Sequence, residues 1–268
     1  MQRRTQFQGQ IALVTGGAAG IGRAVCEALC EQGAIVYAAD INDAGLQKLA
    51  DAAPDGGSIT PVKMDVSQQR GFKNAIDRIV DEQGQLDILI NNAGIVLGGD
   101  FGETSMESIE RIININLWSV IYGTKLAYAQ MRKQGHGHIA NVSSSAGMMP
   151  VPNSAVYSAI KHAIVGLSHS LRPEAELDGV KVSVILPGMV ESDLWDNADN
   201  VKDYDYKKTM ESSGMKPITA AEAADAILEG MSINKRSIIF PFLNRVILRA
   251  YQLMPNLITK AVVKPLAS

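Results

Sequence analysis

The strongest constraint on the fold is the alternation of short β-branched runs with longer segments whose apolar residues recur at helical spacing. Alternation of this kind indicates βαβ units that build a parallel sheet. The pattern predicts an α/β fold of the Rossmann type, a doubly wound, predominantly parallel, seven-stranded sheet with helices on both faces. Strands are predicted at residues 11–15, 35–40, 59–64, 87–91, 137–142, 181–186 and 236–240, and helices at 20–32, 43–52, 68–83, 104–134, 155–177 and 219–230.

Length and composition predict a single domain over residues 1–268 that functions in the cytoplasm. A chain with 46% hydrophobic and 20% charged residues can bury a large core without disulfides. The net charge of −3 gives no reason to expect nucleic acid as a partner. The N-terminus lacks the apolar core of a signal peptide, and the two cysteines, Cys26 and Cys30, are expected to be buried and reduced.

A glycine-rich turn follows the first predicted strand and opens the first predicted helix. Its glycines, Gly16, Gly20 and Gly22, form a G-x-x-x-G-x-G pattern close to the G-x-G-x-x-G fingerprint of dinucleotide-binding proteins. Glycines at these positions let the backbone turn tightly and bring a helix N-terminus, with its partial positive charge, up to a pyrophosphate. The turn therefore predicts a nucleotide site at the carboxyl end of the first strand.

Asp40 ends the second predicted strand, eighteen residues after Gly22. A carboxylate there can accept hydrogen bonds from both hydroxyls of an adenosine ribose, and its charge would repel the additional phosphate of NADP. The glycine-rich turn carries Ala18 and Ala19 rather than a cation that could bind that phosphate. NAD(H) is therefore expected in preference to NADP(H), unless Asp40 merely caps the next helix.

Tyr157 and Lys161 lie four residues apart in a predicted helix, so their side chains share one face. The pKa of a tyrosine is ordinarily near ~10, and lowering it by about three units requires roughly 4 kcal/mol. One cation about 4 Å away supplies roughly that energy at an effective dielectric of about 20. The two residues can therefore perform acid/base chemistry, unless they are an ordinary surface pair on an amphipathic helix.

Taken in order, the motifs of the chain resemble those of the short-chain dehydrogenases/reductases, of the single-domain type. The resemblance extends from about residue 8 to residue 240. It comprises T-G-G-A-A-G-I-G (15–22), Asp65, N-N-A-G (91–94), Asn116, Ser144, Y-S-A-I-K (157–161) and P-G (187–188). The ordered set is far more specific than any one of these motifs.

The resemblance implies a catalytic tetrad of Asn116, Ser144, Tyr157 and Lys161. Tyr157 would exchange a proton with the substrate oxygen while a hydride passes to or from the nicotinamide. Ser144 would position that oxygen, and Lys161 would lower the tyrosine pKa and bind the nicotinamide ribose. Asn116 would hold a water molecule that links Lys161 to solvent.

The resemblance also implies the residues that contact the nucleotide. They are Gly16, Gly20, Ile21, Gly22, Asp40, Ile41, Asp65, Val66, Asn92, Ala93, Gly94, Tyr157, Lys161, Pro187, Gly188, Val190 and Ser192. Asp65 would contact the adenine amino group. Ser192 stands where the family usually has a threonine, and it can make the same hydroxyl contact.

Residues 190–217 form a polar, weakly patterned stretch that follows a strand end. This position predicts a lid over the active site, with a plain surface insertion as the alternative. The expected substrate contacts are Ser144, Ser145, Met149, Met189 and Trp195, and Ile95, Val96 and Met148 are also expected to face the pocket. The mostly apolar character of this set favours a lipophilic alcohol or ketone.

Residues 241–268 form a basic amphipathic C-terminal extension. From Gly230 to Ser268 the chain has six Lys and Arg residues and no Asp or Glu. Apolar residues recur at helical spacing from Leu243 to Met254, and Pro255 ends that pattern. Such a helix can pack against a partner subunit, cover the protein's own pocket or lie on an anionic membrane, and the sequence leaves these alternatives open.

Together these features predict an NAD-dependent oxidoreductase, a short-chain alcohol dehydrogenase or carbonyl reductase with Tyr157 as its acid/base. The main alternative, a catalytically silent NAD(P)-binding sensor or scaffold, would be expected to have lost part of the tetrad. An epimerase or dehydratase would be expected to have a separate substrate domain. No metal site is predicted, because the four histidines form no cluster with acids or cysteines. The resemblance implies a homodimer or homotetramer, and peripheral membrane contact through the extension stays open.

Overall fold

The structure is a computed structural model that describes residues 6–191, 194–195, 198–202, 204–212 and 216–260. Its strands are β1 (Ile11–Thr15), β2 (Ile35–Asp40), β3 (Ser58–Lys63), β4 (Ile88–Asn91), β5 (Leu97–Gly98), β6 (Gly137–Val142), β7 (Val180–Pro187), β8 (Asp199–Asn200) and β9 (Ser237–Phe240). Seven of them form one parallel sheet, in which every predicted strand is present with ends that differ by one residue at most. The predicted fold class is confirmed.

The order of strands in this sheet is β3-β2-β1-β4-β6-β7-β9. The chain moves outward from β1 to β3 on one side and then places β4 on the other side of β1. Leu13 of β1 therefore pairs with both Tyr37 and Leu89. In doubly wound sheets a ligand binds outside the carboxyl ends of the strands where the order reverses. Here that position lies beyond Thr15 and Asn91.

The helices are α1 (Gly20–Glu31), α2 (Asp43–Asp51), α3 (Gln69–Gln83), α4 (Met106–Ile113), α5 (Ser119–Gln134), α6 (Ala155–Glu176), α7 (Tyr206–Ser212), α8 (Ala220–Ser232), α9 (Phe242–Leu253) and α10 (Pro255–Ile258). Their ends follow local chemistry. Thr219 and Glu222 form a capping box at the start of α8, and Gly84 ends α3 in the left-handed conformation. α9 ends just before Pro255, where the apolar pattern also ends.

The prediction of one continuous helix over 104–134 is wrong. The structure has α4, then a π-helical turn at Asn114–Trp118, and then α5. Asn116 lies in this wider turn and is buried, with 1% of its surface exposed. Such turns frequently mark functional sites. Asparagine is a weak helix former, which is the one local hint that the helix is interrupted here.

Apolar side chains from the sheet and the flanking helices form a buried cluster on each face of the sheet. Val14 belongs to a cluster with α1, α2 and α8, whereas Leu13 belongs to a cluster with α3 and α5 on the opposite face. This alternation follows from the two-residue period of a strand. Cys26 and Cys30 are buried free thiols in the first cluster, as predicted.

After β7 the chain leaves the main sheet, and Val190 and Ile218 form an isolated parallel bridge outside it. Between them β8 pairs with β5, and α7 follows. The weak pattern of residues 190–217 did not predict these short elements. The function of the segment as a lid stays a prediction.

Candidate active site

The glycine-rich turn joins β1 to α1 in a conformation that larger residues would not fit. Gly16 has a φ of +69°, and a Cβ added to Gly22 would lie 2.0 Å from the Gly16 carbonyl oxygen. The N-cap of α1 is Ala19, which cannot cap the helix with a side chain, and its first turn carries no acidic residue. The first N–H groups of α1 are therefore left for an anion.

Asp40 lies at the end of β2, beside this turn. Its Oδ2 accepts a hydrogen bond of 3.1 Å from the Ala18 N–H, and its Oδ1 accepts one of 2.9 Å from the Asn42 N–H. The following helix, α2, is capped by Asn42, whose side chain accepts from the Gly45 N–H at 3.0 Å. The alternative that Asp40 merely caps this helix is therefore wrong.

Ile41, Asp65 and Val66 follow β2 and β3. Ile41 is exposed beside Asp40, and Val66 is buried in the core. Asp65 accepts hydrogen bonds from the Ser67 N–H at 2.9 Å and from the Ser67 hydroxyl at 2.8 Å. Asp65 thus organises its own turn, and its contact with adenine stays a prediction.

Residues 91–94 are held against the neighbouring strands by hydrogen bonds. The Thr15 hydroxyl accepts from the backbone N–H groups of Asn92 and Ala93, at 3.0 and 3.1 Å. Asn91 is buried and donates to the Asn141 side chain at 2.8 Å. These contacts fix the carboxyl ends of β1, β4 and β6 relative to one another.

Asn116 holds the loop that follows residues 91–94. Its Nδ2 donates to the Ile95 carbonyl and its Oδ1 accepts from the Ile95 N–H, both at 2.8 Å. The backbone N–H and carbonyl of Ile95 therefore satisfy both the oxygen and the nitrogen of the buried Asn116 side chain. The side chain positions this loop, and the water molecule between Asn116 and Lys161 stays a prediction.

Tyr157 and Lys161 lie one turn apart on the buried face of α6, with 8% and 6% of their surfaces exposed. The Lys161 Nζ lies 5.4 Å from the centre of the Tyr157 ring and donates to the Val142 carbonyl at 3.1 Å. Both side chains face the carboxyl end of β6. The alternative of an ordinary surface pair is therefore wrong.

The three serines that follow β6 have different environments. The Ser143 hydroxyl donates to the Lys161 carbonyl at 2.8 Å and so ties the end of β6 to α6. The Ser144 hydroxyl faces the Tyr157 phenol and also accepts from the Ala146 N–H at 3.2 Å. Ser145 begins a short 3-10 turn. Ser144 is thus the serine that stands beside Tyr157.

Burial sets the protonation of this group. It raises the pKa of the Tyr157 phenol to about 12, while hydrogen bonding with Ser144 acts in the opposite direction. Burial lowers the pKa of the Lys161 ammonium to about 8. The protein by itself therefore does not produce the lowered tyrosine pKa that was predicted, because the effect of burial is larger than that of the hydrogen bond with Ser144. At neutral pH Tyr157 is a protonated phenol.

Tyr157 lines two adjoining cavities. The first has a volume of about 270 Å³ and extends from the glycine-rich turn to Lys161. It is lined by Gly16, Ala19, Gly20, Ile21, Asp40, Asn92, Ala93, Gly94, Ile95, Val142, Ser143, Tyr157, Lys161, Pro187 and Leu194. The predicted nucleotide contacts Gly22, Ile41, Asp65 and Val66 are outside this lining. Ser192 is outside the described residues.

The second cavity has a volume of about 140 Å³ and shares Ile21, Tyr157, Pro187 and Leu194 with the first. The predicted substrate contacts in its lining are Ser144, Ser145, Met149, Met189 and Trp195. Val96 and the predicted nucleotide contacts Gly188 and Val190 line it as well. Ile95 lines the first cavity instead, and Met148 packs in the clusters behind the pocket.

Among the lining residues of the second cavity that were not predicted from the sequence, three come from α7 and α9. Tyr206 of α7 is buried there, and its burial raises the pKa of its phenol, as does the charge of a Tyr157 phenolate. Asn244 and Ile247 reach the cavity from α9. α9, the first helix of the C-terminal extension, thus forms part of the wall of the protein's own pocket, in agreement with one of the three alternatives. No local motif marks these residues, because they reach the site through long-range packing.

The first cavity fits a nicotinamide dinucleotide. Its glycine backbone and uncapped helix N-terminus would hold the pyrophosphate, Asp40 the adenosine ribose, and Lys161 the nicotinamide ribose. The second cavity is smaller and mostly apolar, as expected for an organic substrate. The arrangement can bring a hydride, a proton donor and a substrate oxygen together at Tyr157.

A sequence model of the family described as short chain dehydrogenase matches residues 10–203. The chain belongs to the short-chain dehydrogenase family. This short-chain dehydrogenase is therefore an oxidoreductase of the nicotinamide-dependent type.

Known relatives and solved structures agree with this assignment. The 15-hydroxyprostaglandin dehydrogenase [NAD(+)] of Mus musculus is 36% identical over 243 residues, which are 84% of this chain and 87% of that protein. The cyclopentanol dehydrogenase of Comamonas testosteroni is 35% identical over 186 residues, 69% of this chain and 74% of that protein. A crystal structure of a Burkholderia phymatum short chain dehydrogenase/reductase in complex with NAD superposes with a TM-score of 0.84 at 23% identity, covering 94% of this chain and 96% of that one. The last likeness shows the shared fold.

Proposed function

We propose that this protein interconverts a lipophilic secondary alcohol and its ketone, with NAD(H) preferred over NADP(H) and Tyr157 as the acid/base. One observation carries the proposal: Tyr157 lines both cavities, beside Lys161 in the first and beside Ser144 in the second. A proton and a hydride can be exchanged with one substrate only where the two cavities meet.

In ketone reduction the Tyr157 phenol donates its proton to the carbonyl oxygen, and the Ser144 hydroxyl holds that oxygen by a hydrogen bond. Because burial raises its pKa to about 12, the phenol keeps its proton at neutral pH and is ready to act as the acid. When bound, the nicotinamide would supply or accept the hydride, and its oxidised form would add a positive charge beside the phenol. In alcohol oxidation Tyr157 accepts the proton as a phenolate, which the Lys161 ammonium favours.

Asp40 supports the preference for NAD(H). Its carboxylate lines the first cavity beside the Ala18 N–H, where an adenosine ribose would bind. Among the described residues that line this cavity, Lys161 is the one cation, and it stands beside Tyr157 rather than Asp40. A ribose phosphate would therefore meet a negative charge without a compensating cation. The Mus musculus relative named above is also an NAD(+) enzyme by its name.

The lining of the second cavity supports a lipophilic substrate. Met149, Met189 and Trp195 line this cavity with apolar side chains, and Ile247 adds another from α9. The relatives named for a prostaglandin and for cyclopentanol act on hydroxyl groups of ring-containing molecules by those names. A cyclic or ring-bearing secondary alcohol is the substrate class that these observations favour.

Three further predictions concern the oligomeric state, the cellular location and the substrate lid. A homodimer or homotetramer built on α4 to α6, a cytoplasmic location and a lid over residues 190–217 stay predictions. A catalytically silent NAD(P)-binding sensor is the second candidate. The presence of Tyr157, Lys161 and Ser144 around one point argues against it.

The experiment is a panel of cyclic, aryl and steroidal secondary alcohols and their ketones, each with NAD(H) and with NADP(H). The absorbance of the reduced nicotinamide reports turnover. We expect turnover of at least one ring-bearing alcohol, with a higher kcat/KM for NAD⁺. Binding of NADH without turnover of any member would instead favour the sensor.

A further inference from the structure

We propose that the C-terminal helices α9 and α10 dock on an anionic phospholipid membrane. The docking surface, here called the outer face, consists of Phe242, Leu243, Val246, Leu253, Met254 and Leu257, which are 47–81% exposed. Half of the twelve large hydrophobic residues that are exposed in the described chain belong to this short segment. Such a concentration of apolar surface marks an interaction site rather than scattered exposure.

The outer face is not needed to hold α9 on the protein. The opposite side of the helix does that through Leu248, which is 1% exposed and packs in a cluster with Met149. Asn244 also donates to the carbonyls of Leu186 and Phe240, at 3.4 Å each. One apolar side of α9 therefore packs against the rest of the protein, and a second apolar side, the outer face, is exposed to solvent.

Charge favours an anionic lipid surface as the occupant. The segment from Gly230 to Ser268 carries six Lys and Arg residues, and all 28 Asp and Glu residues of the chain precede it. Arg249 is exposed on α9, and Lys260 is exposed just after α10. Phospholipid headgroups would attract this end of the molecule and repel the acidic remainder, which would orient the protein with the outer face toward the bilayer.

The same charges disfavour a second copy of the chain as the occupant. In a two-fold contact the same patch on each copy meets the patch on the other copy. Arg249 and Lys260 would then be brought close to equivalent cations across an apolar interface, where like charges repel strongly. No acidic residue of this segment could compensate them.

The geometry fits a helix that lies in the plane of the membrane. No helix among the described residues has both the length and the apolar character to cross a bilayer. α9 has 12 residues, and Phe242, Val246 and Leu253 recur along it near one side. Apolar side chains of such helices enter the boundary between headgroups and acyl chains, while Arg and Lys contact the phosphates.

Docking would place lipid next to the substrate pocket, because α9 lines that pocket with Asn244 and Ile247. A lipophilic substrate could then pass from the bilayer to Tyr157 along this helix. This consequence rests on the proposed function, whereas membrane binding itself does not.

The experiment is co-sedimentation of the full chain with phosphatidylcholine vesicles that contain or lack phosphatidylglycerol. We expect binding to the mixed vesicles to be about tenfold tighter or more and to weaken as salt is added, since the exposed Arg249 and Lys260 would contribute. A variant with Phe242→Gln, Val246→Gln and Leu253→Gln should lose at least about tenfold in vesicle affinity. Arg249→Gln should lose about fivefold.

The matched control is Leu177→Gln, which removes a large exposed hydrophobic residue at the end of α6 and should bind vesicles like the wild type. NADH binding by every variant shows that the fold and the nucleotide site are intact, so a failure of the proposed enzyme activity is recognised separately. Negligible binding of the wild type to both vesicles would overturn the proposal. So would an outer-face variant that binds like the wild type, or one that only converts a dimer to a monomer in light scattering.

Discussion

The two cavities that meet at Tyr157 are built in different ways. Part of the nucleotide cavity is formed by small residues in motifs directly after β1 and β4, among them Gly16, Gly20 and Gly94, and Gly16 is in a left-handed conformation against which Gly22 packs closely. The substrate cavity is made largely of side chains from segments far apart in the chain, such as Met149, Tyr206 and Ile247.

Because of this difference, the two cavities should tolerate different amino-acid substitutions. A cavity shaped by main-chain approach cannot accept an added methyl group without moving the chain. A cavity shaped by side chains can change its volume and polarity by substitution while the sheet remains in place. Substitutions in the nucleotide cavity should therefore cause loss of function. Substitutions in the substrate cavity should instead alter the substrate specificity.

Gly22→Ala should have the largest effect on the nucleotide cavity. The new Cβ would lie 2.0 Å from the Gly16 carbonyl oxygen, so the turn must shift, and the affinity for NADH should fall by about 100-fold or more. Fluorescence titration with NADH measures it. Gly166→Ala is the matched control, because its added Cβ would meet no atom within 4 Å. Equal NADH affinities of the two variants would contradict the backbone account.

Lys161→Met tests the boundary between the cavities. Burial lowers the Lys161 pKa from 10.5 to about 8, so the folded protein pays for a buried cation below pH 8, and this cost disappears as the pH rises toward 10.5. Removing the cation should raise the free energy of unfolding by about 2 kcal/mol at neutral pH, after allowing for the lost hydrogen bond to Val142.

Urea unfolding of Lys161→Met and wild type across this pH range makes the measurement. Lys125→Met removes an exposed lysine of α5 and serves as the control. The stability gain of Lys161→Met should shrink as the pH rises from about 8 toward 10.5, because the wild-type lysine then becomes neutral in both states. A gain that does not depend on pH would show that packing, rather than charge, is responsible.

Asp40→Ala should raise the ratio of kcat/KM for NADP⁺ to that for NAD⁺ by about tenfold, because the charge that repels the ribose phosphate is gone. Asp40→Asn keeps an oxygen that can accept from the Ala18 N–H and removes only the charge. Both variants should therefore shift the ratio in the same direction. If Asp40→Asn leaves the ratio unchanged, the carboxylate does not set the preference through its charge.

Tyr206→Phe should have the smallest effect and should be confined to the substrate cavity. Loss of one hydroxyl beside Tyr157 should change kcat/KM for individual alcohols by about three- to tenfold and leave NADH affinity unchanged. Tyr204→Phe is the control, since the Tyr204 hydroxyl is buried, has no hydrogen-bond partner among the described residues and is not in the cavity lining. Equal steady-state parameters for both variants would remove Tyr206 from substrate selection.

The nucleotide cavity was more predictable from the sequence than the substrate cavity, because its main features are local in the chain. Strand ends, the Gly16–Gly22 turn and Asp40 are local features, and a parallel sheet brings successive strand ends to one edge. Tyr206, Asn244 and Ile247 reach the pocket through long-range packing that local pattern does not encode.

Two further features were outside the reach of sequence. The π-helical turn around Asn116 has the apolar pattern of an ordinary helix, so the structure was needed to show it. The direction of the Tyr157 pKa shift depends on burial, which raises the pKa. Spacing showed that the two side chains could be neighbours but not how much solvent each had lost.

Tyr157→Phe is the most direct test of whether Tyr157 performs chemistry where the two adjoining cavities meet. The kcat for a turned-over alcohol and the Kd for NADH should be measured on the same preparation. We expect kcat to fall by about 10²–10⁴-fold and the Kd for NADH to stay within about twofold of the wild type. A kcat within about tenfold of the wild type, or a loss of NADH affinity as large as the loss of kcat, would contradict the role of Tyr157 as the acid/base.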